Sequence, residues 1–223
     1  MCIRDSYEAF RDTLIRVENQ GFPVTRKTHG SAPSGRDASR ELMRTVDECF
    51  DFYDSHERLG LLLVGDEDLQ AAFDAVTTHG SAVVGRVKGD RSGARATDLG
   101  QIVWPVVKEV ISAVRERALR DLQESSREGR VVSSLEAVAE AASAGAGGTL
   151  LVEDEYRVRG SLAPASQRPL LSRDVDVRDA NDDAVDAVIE RVLSGGGNVV
   201  FMGKGALADQ ERIALLLPEP AQP

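Results

Sequence analysis

Apolar residues recur every three or four positions in the longer segments of this chain and run without interruption in the shorter ones. Residues 37–53 form a predicted helix, and its apolar face carries Leu42, Val46, Cys49, Phe50 and Tyr53. The run LGLLLVG at 59–65 is bounded by glycines, as is typical of a strand covered on both faces. A helix that begins at Asp66 and the strand SAVVGRV at 81–87 follow, and this order predicts a parallel β-α-β unit.

The second half of the chain opens with two predicted helices. Residues 99–128 have an apolar stripe at helical spacing, and Pro105 within it predicts a kink or a short lead-in turn. Residues 130–133 then form a link to the next helix. Ser133 and Glu136 have the spacing of a capping box, so this second helix is predicted to begin there.

The remaining elements are shorter. Near the N-terminus, residues 13–18 and 22–27 are predicted strands joined by a turn at 19–21. Residues 154–180 contain prolines and serines without an apolar pattern, which predicts an exposed insertion. The other predicted elements are a strand at 149–155, a helix beginning at 181–183, and strands at 198–203 and 212–218.

This order of elements predicts an α/β protein made of two consecutive α/β domains, each a mixed, largely parallel sheet with flanking helices. The polar segment 88–98 separates them, so the predicted domains are 7–95 and 96–218, followed by a disordered tail at 219–223. Residues 1–6, MCIRDS, look like translated adapter sequence. We expect them to be a non-native leader in place of a longer N-terminal part.

The amino-acid composition limits the classes of function that this protein could have. The 223 residues carry a net charge of −10, which argues against broad non-specific binding to nucleic acid, DNA included, but allows local basic patches. The two cysteines, Cys2 and Cys49, are expected to form no disulfide, which favours a reducing compartment. No apolar run approaches the roughly 20 residues of a membrane helix. We therefore predict a cytoplasmic protein with no membrane contact.

One segment departs from this acidity. A glycine-rich loop runs from Gly30 to Gly35, between a predicted strand and the helix at 37–53. Asp37 and Glu41 are the only acidic residues between positions 26 and 44, and the cations of the same stretch are Arg26, Lys27, Arg36, Arg40 and Arg44. Exposed cationic loops on an acidic protein often contact an anionic partner. A solvated surface loop is the other interpretation, and composition leaves both open.

A second basic set lies near the predicted domain boundary. Its members are Arg86, Lys88, Arg91 and Arg95. The glycines of GDRSGAR at 89–95 would let the backbone approach a phosphate, but a plain interdomain linker explains the same composition. This set is therefore a secondary candidate for RNA binding.

Signals for catalysis are weak. None of the histidines, His29, His56 and His79, has a second ligand-type residue at metal spacing, so we predict no metal site and no cofactor. Three aspartates, Asp47, Asp51 and Asp54, share part of one predicted helix. They form either paired carboxylates or, as we favour, a solvated acidic face.

The order of these motifs resembles the middle and C-terminal domains of class-1 release factors and Pelota, and more closely their bacterial relatives, the bacterial archaeo-eukaryotic release-factor-like proteins. Residues 26–30, RKTHG, match the Lys-Lys-His-Gly element of that family, and residues 35–40 occupy the place of its Gly-Gly-Gln motif. Trp104-Pro105 matches a Trp-Pro of one bacterial group. The resemblance spans about residues 8–217, and its specificity lies in the order and spacing of short motifs.

The resemblance implies binding to the ribosome through ribosomal RNA, and a translational GTPase as a partner of the C-terminal domain. The implied RNA-binding residues are Arg26, Lys27, His29, Gly30, Gly35, Arg36, Arg40 and Arg44. Gly-Gly-Gln is absent from the sequence, so we predict no catalytic residue and no enzyme activity. The leading hypothesis is a non-catalytic factor in hibernation, rescue or a release-factor-like step. The alternatives are a metal-dependent RNA hydrolase using Asp47, Asp51 or His29, and a protein-interaction scaffold without RNA contact.

Overall fold

The structure is a computed structural model, and it describes residues 3–4, 6–10, 13–19, 21–25, 36–57, 60–91, 93–162, 169–171 and 183–219. The strands are β1 (Ile3–Arg4), β2 (Ser6–Phe10), β3 (Thr13–Val17), β4 (Val24–Thr25), β5 (Leu61–Gly65), β6 (Val83–Lys88), β7 (Val131–Ser133), β8 (Thr149–Glu153), β9 (Gly160–Leu162), β10 (Pro169–Leu171), β11 (Asn198–Met202) and β12 (Ile213–Leu216). The helices are α1 (Arg36–Glu57), α2 (Glu67–Asp74), α3 (Ala96–Arg127), α4 (Leu135–Ser143) and α5 (Ala184–Ser194).

The chain divides into two compact units, Met1–Ile111 and Ser112–Pro223. The division falls inside α3, whose 32 residues make it the longest of the five helices in the preceding list. Its first half therefore belongs to the first unit and its second half to the second. The domain limits predicted from the sequence, 7–95 and 96–218, remain a prediction, because compact units and sequence domains need not share a boundary.

The core of the first unit forms around a parallel pair of strands, β5 and β6. On one face of this pair, α1 contributes Leu42, Met43 and Phe50 and α2 contributes Phe73 to a single buried cluster. On the other face α3 packs at Gly85, where an added Cβ would lie 3.1 Å from Val106 Cγ1. The predicted β-α-β unit is therefore present. The same Cβ would lie 2.5 Å from Leu62 Cδ1, so a side chain at position 85 would require Leu62 and Val106 to shift.

The core of the second unit is a four-stranded sheet with the order β11-β8-β12-β7. Strands β8 and β11 are parallel, and β12 is antiparallel to both of its neighbours. Leu150 and Val152 of β8 pack with α4 and α5, whereas Leu151 packs with the second half of α3. Successive residues of a strand point to opposite faces, so this central strand is buried on both. The predicted α/β fold class is confirmed.

Strand pairing at the N-terminus differs from the prediction. Among the described residues, β3 pairs with β2 and β4 pairs with β1, whereas the sequence predicted that the segments 13–18 and 22–27 pair with each other. The residues of β1 and β2 begin inside the segment 1–6 that was expected to be a leader. The turn signal at 19–21 led to the wrong prediction of the partner of β3, which is the preceding strand β2.

Two details of the second unit also differ. Residues 131–133 were predicted as part of a link but form β7, which pairs with β12. The N-cap of α4 is Ser134, whose hydroxyl accepts a hydrogen bond from the Ala137 N–H at 3.4 Å, and not Ser133.

Within the predicted insertion at 154–180, residues 160–162 and 169–171 form the antiparallel pair β9–β10. Most of the predicted tail, 220–223, lies outside the described residues. Among the helices that the structure describes, none has the length and apolar character needed to cross a membrane.

Candidate nucleic-acid interface

The predicted tip is only partly within the described structure. Outside the described residues lie Arg26, Lys27, His29, Gly30 and Gly35. Arg36 is the first residue of α1, but its side chain is outside the description. Arg40 and Arg44 lie in the next two turns of the same helix and are described in full.

Helix α1 exposes Arg40 and Arg44 and buries Leu42, Met43 and Phe50. Within the described part of the chain, no carboxylate lies at ion-pairing distance from either guanidinium. The two arginines are four residues apart, so they follow each other along one side of the helix at about 6 Å along its axis. Exposed guanidinium groups without internal partners are suited to binding phosphate oxygens.

The secondary basic set has a different electrostatic environment. Arg86 contacts Asp74 at 2.8 Å, Lys88 contacts Glu67 at 2.5 Å, and Arg95 contacts Asp98 at 3.0 Å. The hydrogen bond and charge of Lys88 lower the pKa of Glu67, and those of Asp98 raise the pKa of Arg95. The fourth member, Arg91, is exposed. Three of the four cations are therefore paired with neighbouring carboxylates of the same chain in the unbound protein.

A polar cluster that the sequence did not predict joins α1 to the connection between α2 and β6. His79 Nδ1 lies 2.9 Å from Asp47 Oδ1, and His79 Nε2 lies 3.1 Å from Asp51 Oδ1. Thr77 and Thr78 add hydrogen bonds to the Asp47 carboxylate, from both hydroxyls and from the Thr78 N–H. The cluster thus fastens the arginine-bearing helix to the rest of the first unit.

The environment of Asp47 favours its charged form. Burial alone would raise the pKa of Asp47, but hydrogen bonds from Thr77, His79 and Thr78 outweigh burial and lower it. The Phe50 ring packs edge-on against the imidazole of His79, with the ring centroids 5.3 Å apart. Both oxygens of Asp47 and both ring nitrogens of His79 have partners inside the protein. These contacts connect α1 to residues 77–79, so we assign the cluster a structural role.

The interpretation of Asp47 as part of a solvated acidic face was wrong for that residue, which is buried, and right for Asp51, whose side chain is 78% exposed. The signal was present in the sequence. Met43, Asp47 and Phe50 have the i, i+4, i+7 spacing of one helical face, and the first and last are buried apolar residues. A carboxylate on such a face requires an internal partner. His79, which supplies one of these partners, was considered in the sequence only as a possible metal ligand.

Solved structures with a similar fold come from Pelota-type proteins. A chain of a ribosome-bound complex of archaeal Pelota and ABCE1 is 18% identical, with a TM-score of 0.51, and the match covers 98% of this chain and 59% of that one. Pelota of Archaeoglobus fulgidus is 23% identical, with a TM-score of 0.39 and coverage of 82% and 55%. Dom34 of S. cerevisiae, described as interacting with Hbs1, is 12% identical, with a TM-score of 0.46 and coverage of 98% and 61%.

The chain therefore spans between half and two thirds of the length of these structures. A search of curated proteins found no match. A family model does match: residues 7–146 fit bacterial archaeo-eukaryotic release factor family 3. This match covers the whole of α1, the β5-α2-β6 unit, α3 and α4, which is more than half of the 223 residues. The chain thus belongs to bacterial archaeo-eukaryotic release factor family 3.

Proposed function

We propose that this protein is a ribosome-binding translation factor without catalytic activity, in which residues 26–35 and the start of α1 contact ribosomal RNA. The observation that carries the proposal is the exposure of Arg40 and Arg44 without an ion-pair partner in the described structure. On a protein with a net charge of −10, such groups are the sites where an anionic partner finds uncompensated positive charge. The remaining members of the proposed interface are Arg26, Lys27, His29, Gly30, Gly35 and Arg36.

The contrast with the secondary basic set supports this location. Arg86, Lys88 and Arg95 would have to exchange a carboxylate of the same chain for a phosphate. Arg40 and Arg44 have no such carboxylate to exchange among the described residues, so a phosphate there would displace water and counterions. Binding of phosphate at the arginines of α1 is therefore less opposed. We assign the secondary set no more than a supporting role in the interface.

The non-catalytic part of the proposal rests on two observations. The sequence contains no Gly-Gly-Gln, the motif whose glutamine serves ester hydrolysis in the family that the chain resembles. The hydrolase alternative used Asp47, Asp51 or His29 to hold a metal or to act as a base, and His29 lies outside the described residues. Asp47 instead accepts four hydrogen bonds from Thr77, Thr78 and His79, which occupy the lone pairs that a metal or a proton would need.

The predicted C-terminal domain, residues 96–218, is the part that we propose binds a protein partner, and a translational GTPase is our candidate. This assignment follows the resemblance to release factors and agrees with the acidity of the chain, which favours protein contacts over RNA outside the tip. The proposed setting is the cytoplasm, in hibernation, rescue or a release-factor-like step. A complex with the GTPase but no association with ribosomes would favour the scaffold alternative.

Cosedimentation with bacterial ribosomes at low salt tests the proposal, with two double variants that change the net charge equally. Arg40→Ala with Arg44→Ala removes two cations of α1 that have no ion-pair partner within the described residues. Arg86→Ala with Arg95→Ala is the matched control, because it removes two exposed cations that are already paired. We expect the first to weaken pelleting by about tenfold or more and the second to pellet like the wild type.

The salt dependence distinguishes local contact from general charge. Each phosphate contact that is lost lowers the slope of log K against log salt by about 1. The α1 double variant is therefore expected to reduce the slope by about 2, and the control to leave it unchanged. If the α1 variant pellets with ribosomes as well as the wild type does, this helix has no role in binding. If both variants lose ribosome binding to the same extent, the attraction to the ribosome is non-specific.

A further inference from the structure

We infer that His79 is a positioning residue for the arginine-bearing helix and that its charged imidazolium bridges α1 to the connection between α2 and β6. This inference rests on the proposed function for its biological meaning, but not for its geometry. The residues of the bridge are Asp47 and Asp51 on α1 and His79 on the connection. They lie outside the set of cations assigned to RNA.

The geometry requires two donors from one ring. Asp47 faces Nδ1 and Asp51 faces Nε2, at 2.9 and 3.1 Å. A neutral imidazole has one N–H and one lone pair, so it donates to one carboxylate and presents a lone pair to the other. Only the imidazolium donates to both. The complete bridge therefore exists only while His79 carries its second proton.

The two halves of the bridge respond differently to loss of that proton. Asp47 is buried and keeps the hydrogen bonds of Thr77 and Thr78 whatever the state of the ring. Asp51 is 78% exposed, so water replaces its partner when His79 is neutral. Deprotonation thus opens the outer contact and leaves the inner one, which loosens α1 without unfolding it.

Groups on both sides of the bridge contact the ring. Among the described residues, the carboxylates of Asp47 and Asp51 lie within ion-pairing distance of His79, and both belong to α1. The connection supplies the Thr78 hydroxyl, 3.4 Å from Nδ1, and α1 also supplies the Phe50 ring. The ring is 9% exposed, so water does not substitute readily for the carboxylates around it.

The bridge lies close to the proposed RNA contacts. Arg44 precedes Asp47 by three residues and Arg40 precedes it by seven, which corresponds to about 4.5 and 10 Å along the helix. A helix is stiff over such a distance, so the position of Asp47 and Asp51 fixes that of the arginines. Opening the outer contact would therefore remove one of the two polar attachments of this part of α1 and leave the buried contact of Asp47, which loosens the helix that carries the arginines.

Hydrogen–deuterium exchange of α1, followed by mass spectrometry at pH 6 and pH 8, tests the inference without RNA. Asp51→Asn removes the outer carboxylate, and His79→Gln keeps donors at this position but cannot titrate. Glu48→Gln is the matched control, since Glu48 is an exposed carboxylate of the same helix and is not one of the two carboxylates of the bridge. The results are expressed as protection factors, the ratio of the intrinsic exchange rate at each pH to the measured rate, so that the intrinsic effect of pH on exchange cancels.

We expect protection of α1 in the wild type and the control to fall by about two- to fivefold from pH 6 to pH 8, the scale of an ion pair with one exposed partner. Asp51→Asn should show the lower protection at both pH values. His79→Gln should lose the pH dependence, and if it fails to fold, Asp51→Asn decides alone. An Asp51→Asn protein that keeps the wild-type pH dependence would overturn the inference.

Ribosome cosedimentation at the same two pH values separates this inference from the proposed function. If both hold, the wild type binds ribosomes more tightly at pH 6 relative to pH 8 than Asp51→Asn does, by about two- to fivefold. A wild type that binds no ribosomes at either pH refutes the proposed function, whereas the exchange data still decide the bridge. Tight binding with equal pH dependence in the two proteins overturns the bridge's effect on the helix and leaves the RNA contacts intact.

Discussion

Replacing Asp47 with alanine tests the buried half of the bridge between α1 and the connection that follows α2. The carboxylate accepts hydrogen bonds from Thr77, Thr78 and His79 at distances of 2.5 to 3.0 Å. Alanine leaves these donors without an acceptor in a place that water reaches poorly. The variant therefore loses the attraction and keeps the desolvation of the partners, which is the more damaging combination.

The magnitude follows from burial. Removing one member of a buried, hydrogen-bonded charge pair destabilises a protein by about 3–5 kcal/mol. Asp51 provides the matched comparison, because it contacts the same histidine with a side chain that is 78% exposed. An exposed ion pair contributes about 0–1 kcal/mol, so Asp51→Ala should be nearly neutral in stability. At about 2–4 °C per kcal/mol for a chain of this length, the two variants should differ in Tm by roughly 5 °C or more.

Urea unfolding provides the measurement. The single tryptophan, Trp104, lies in α3 within the unit Met1–Ile111, so its fluorescence reports on the unit that contains Asp47. The lowered pKa of Asp47 adds a pH test. Its contribution to stability is complete above the ordinary value of 3.8 and is lost as the pH falls through the lower value of the folded state.

The difference in unfolding free energy between the wild type and Asp47→Ala should therefore shrink on strong acidification. Equal destabilisation by Asp47→Ala and Asp51→Ala would refute the reasoning. A loss below about 1 kcal/mol for Asp47→Ala would do the same, because it would mean that water or another group replaces the carboxylate.

Two further predictions concern the second unit, and thermal unfolding followed by circular dichroism measures both. Leu150→Ala should cost about 2–5 kcal/mol because Leu150 is fully buried in the central strand, whereas Leu193→Ala, at a position 52% exposed, should change stability by no more than about 0.5 kcal/mol. Gly148→Ala should destabilise the unit more than Gly145→Ala: both have positive φ, but only at position 148 would the new Cβ meet a neighbour, at 2.1 Å from the carbonyl oxygen of Leu216. Similar losses in either pair would contradict the packing on which it rests.

The helices and the parallel β-α-β unit were predictable because their signals are local. The apolar face of α1, with Leu42 and Phe50, repeats at helical spacing, and the structure extends that helix only to Arg36 and Glu57. Strand β5 is a continuous apolar run between glycines, and such runs rarely belong to anything but a covered strand or a buried helix. Periodicity records which side of an element is buried, so it identifies elements that pack on one another.

Strand pairing was harder because partners are distant in sequence. Strand β7 has three residues, Val131 to Ser133, and its partner β12 follows about 80 residues later along the chain. Nothing within three residues distinguishes such a strand from a link. At the N-terminus, the turn at 19–21 suggested that its two flanking strands pair, whereas β3 pairs instead with the strand before it. A turn signal shows where the chain reverses and does not name the strand that it pairs with.

The sequence predicts which cations belong to the candidate site, but it does not predict which of them have ion-pair partners in the folded protein. The sequence identifies Arg40, Arg44, Arg86 and Arg95 equally as cations near loops or helix starts. Only three-dimensional proximity shows that the last two are paired with Asp74 and Asp98 and that the first two have no such partner in the described structure. Likewise, Asp47 and His79 lie 32 residues apart, and their contact depends on the packing of α1 against α2. Charge becomes informative about binding only after internal neutralisation is known.

Each unit contains a buried carboxylate that accepts hydrogen bonds from a segment connecting two elements: Asp47 in the first unit and Glu153 in the second. Glu153, at the end of β8, accepts hydrogen bonds from the Leu207 N–H at 2.9 Å and from Arg212 Nε at 3.0 Å, and the bond from Leu207 is the main cause of its lowered pKa. Arg212 has a φ of 72°, a left-handed conformation that a non-glycine residue adopts only when its surroundings hold it there.

A buried charge adds little net stability compared with an apolar side chain of the same size. Its specific effect is directional, because a carboxylate satisfied by particular N–H and guanidinium groups admits one conformation of the segment that carries them. Asp47 does this for the connection that supports α1, and Glu153 does it for residues 203–212. We therefore interpret both residues as determinants of conformation. On this interpretation, the chain retains a buried charge where a surface must keep a fixed position, and the arginine side of α1 is such a surface.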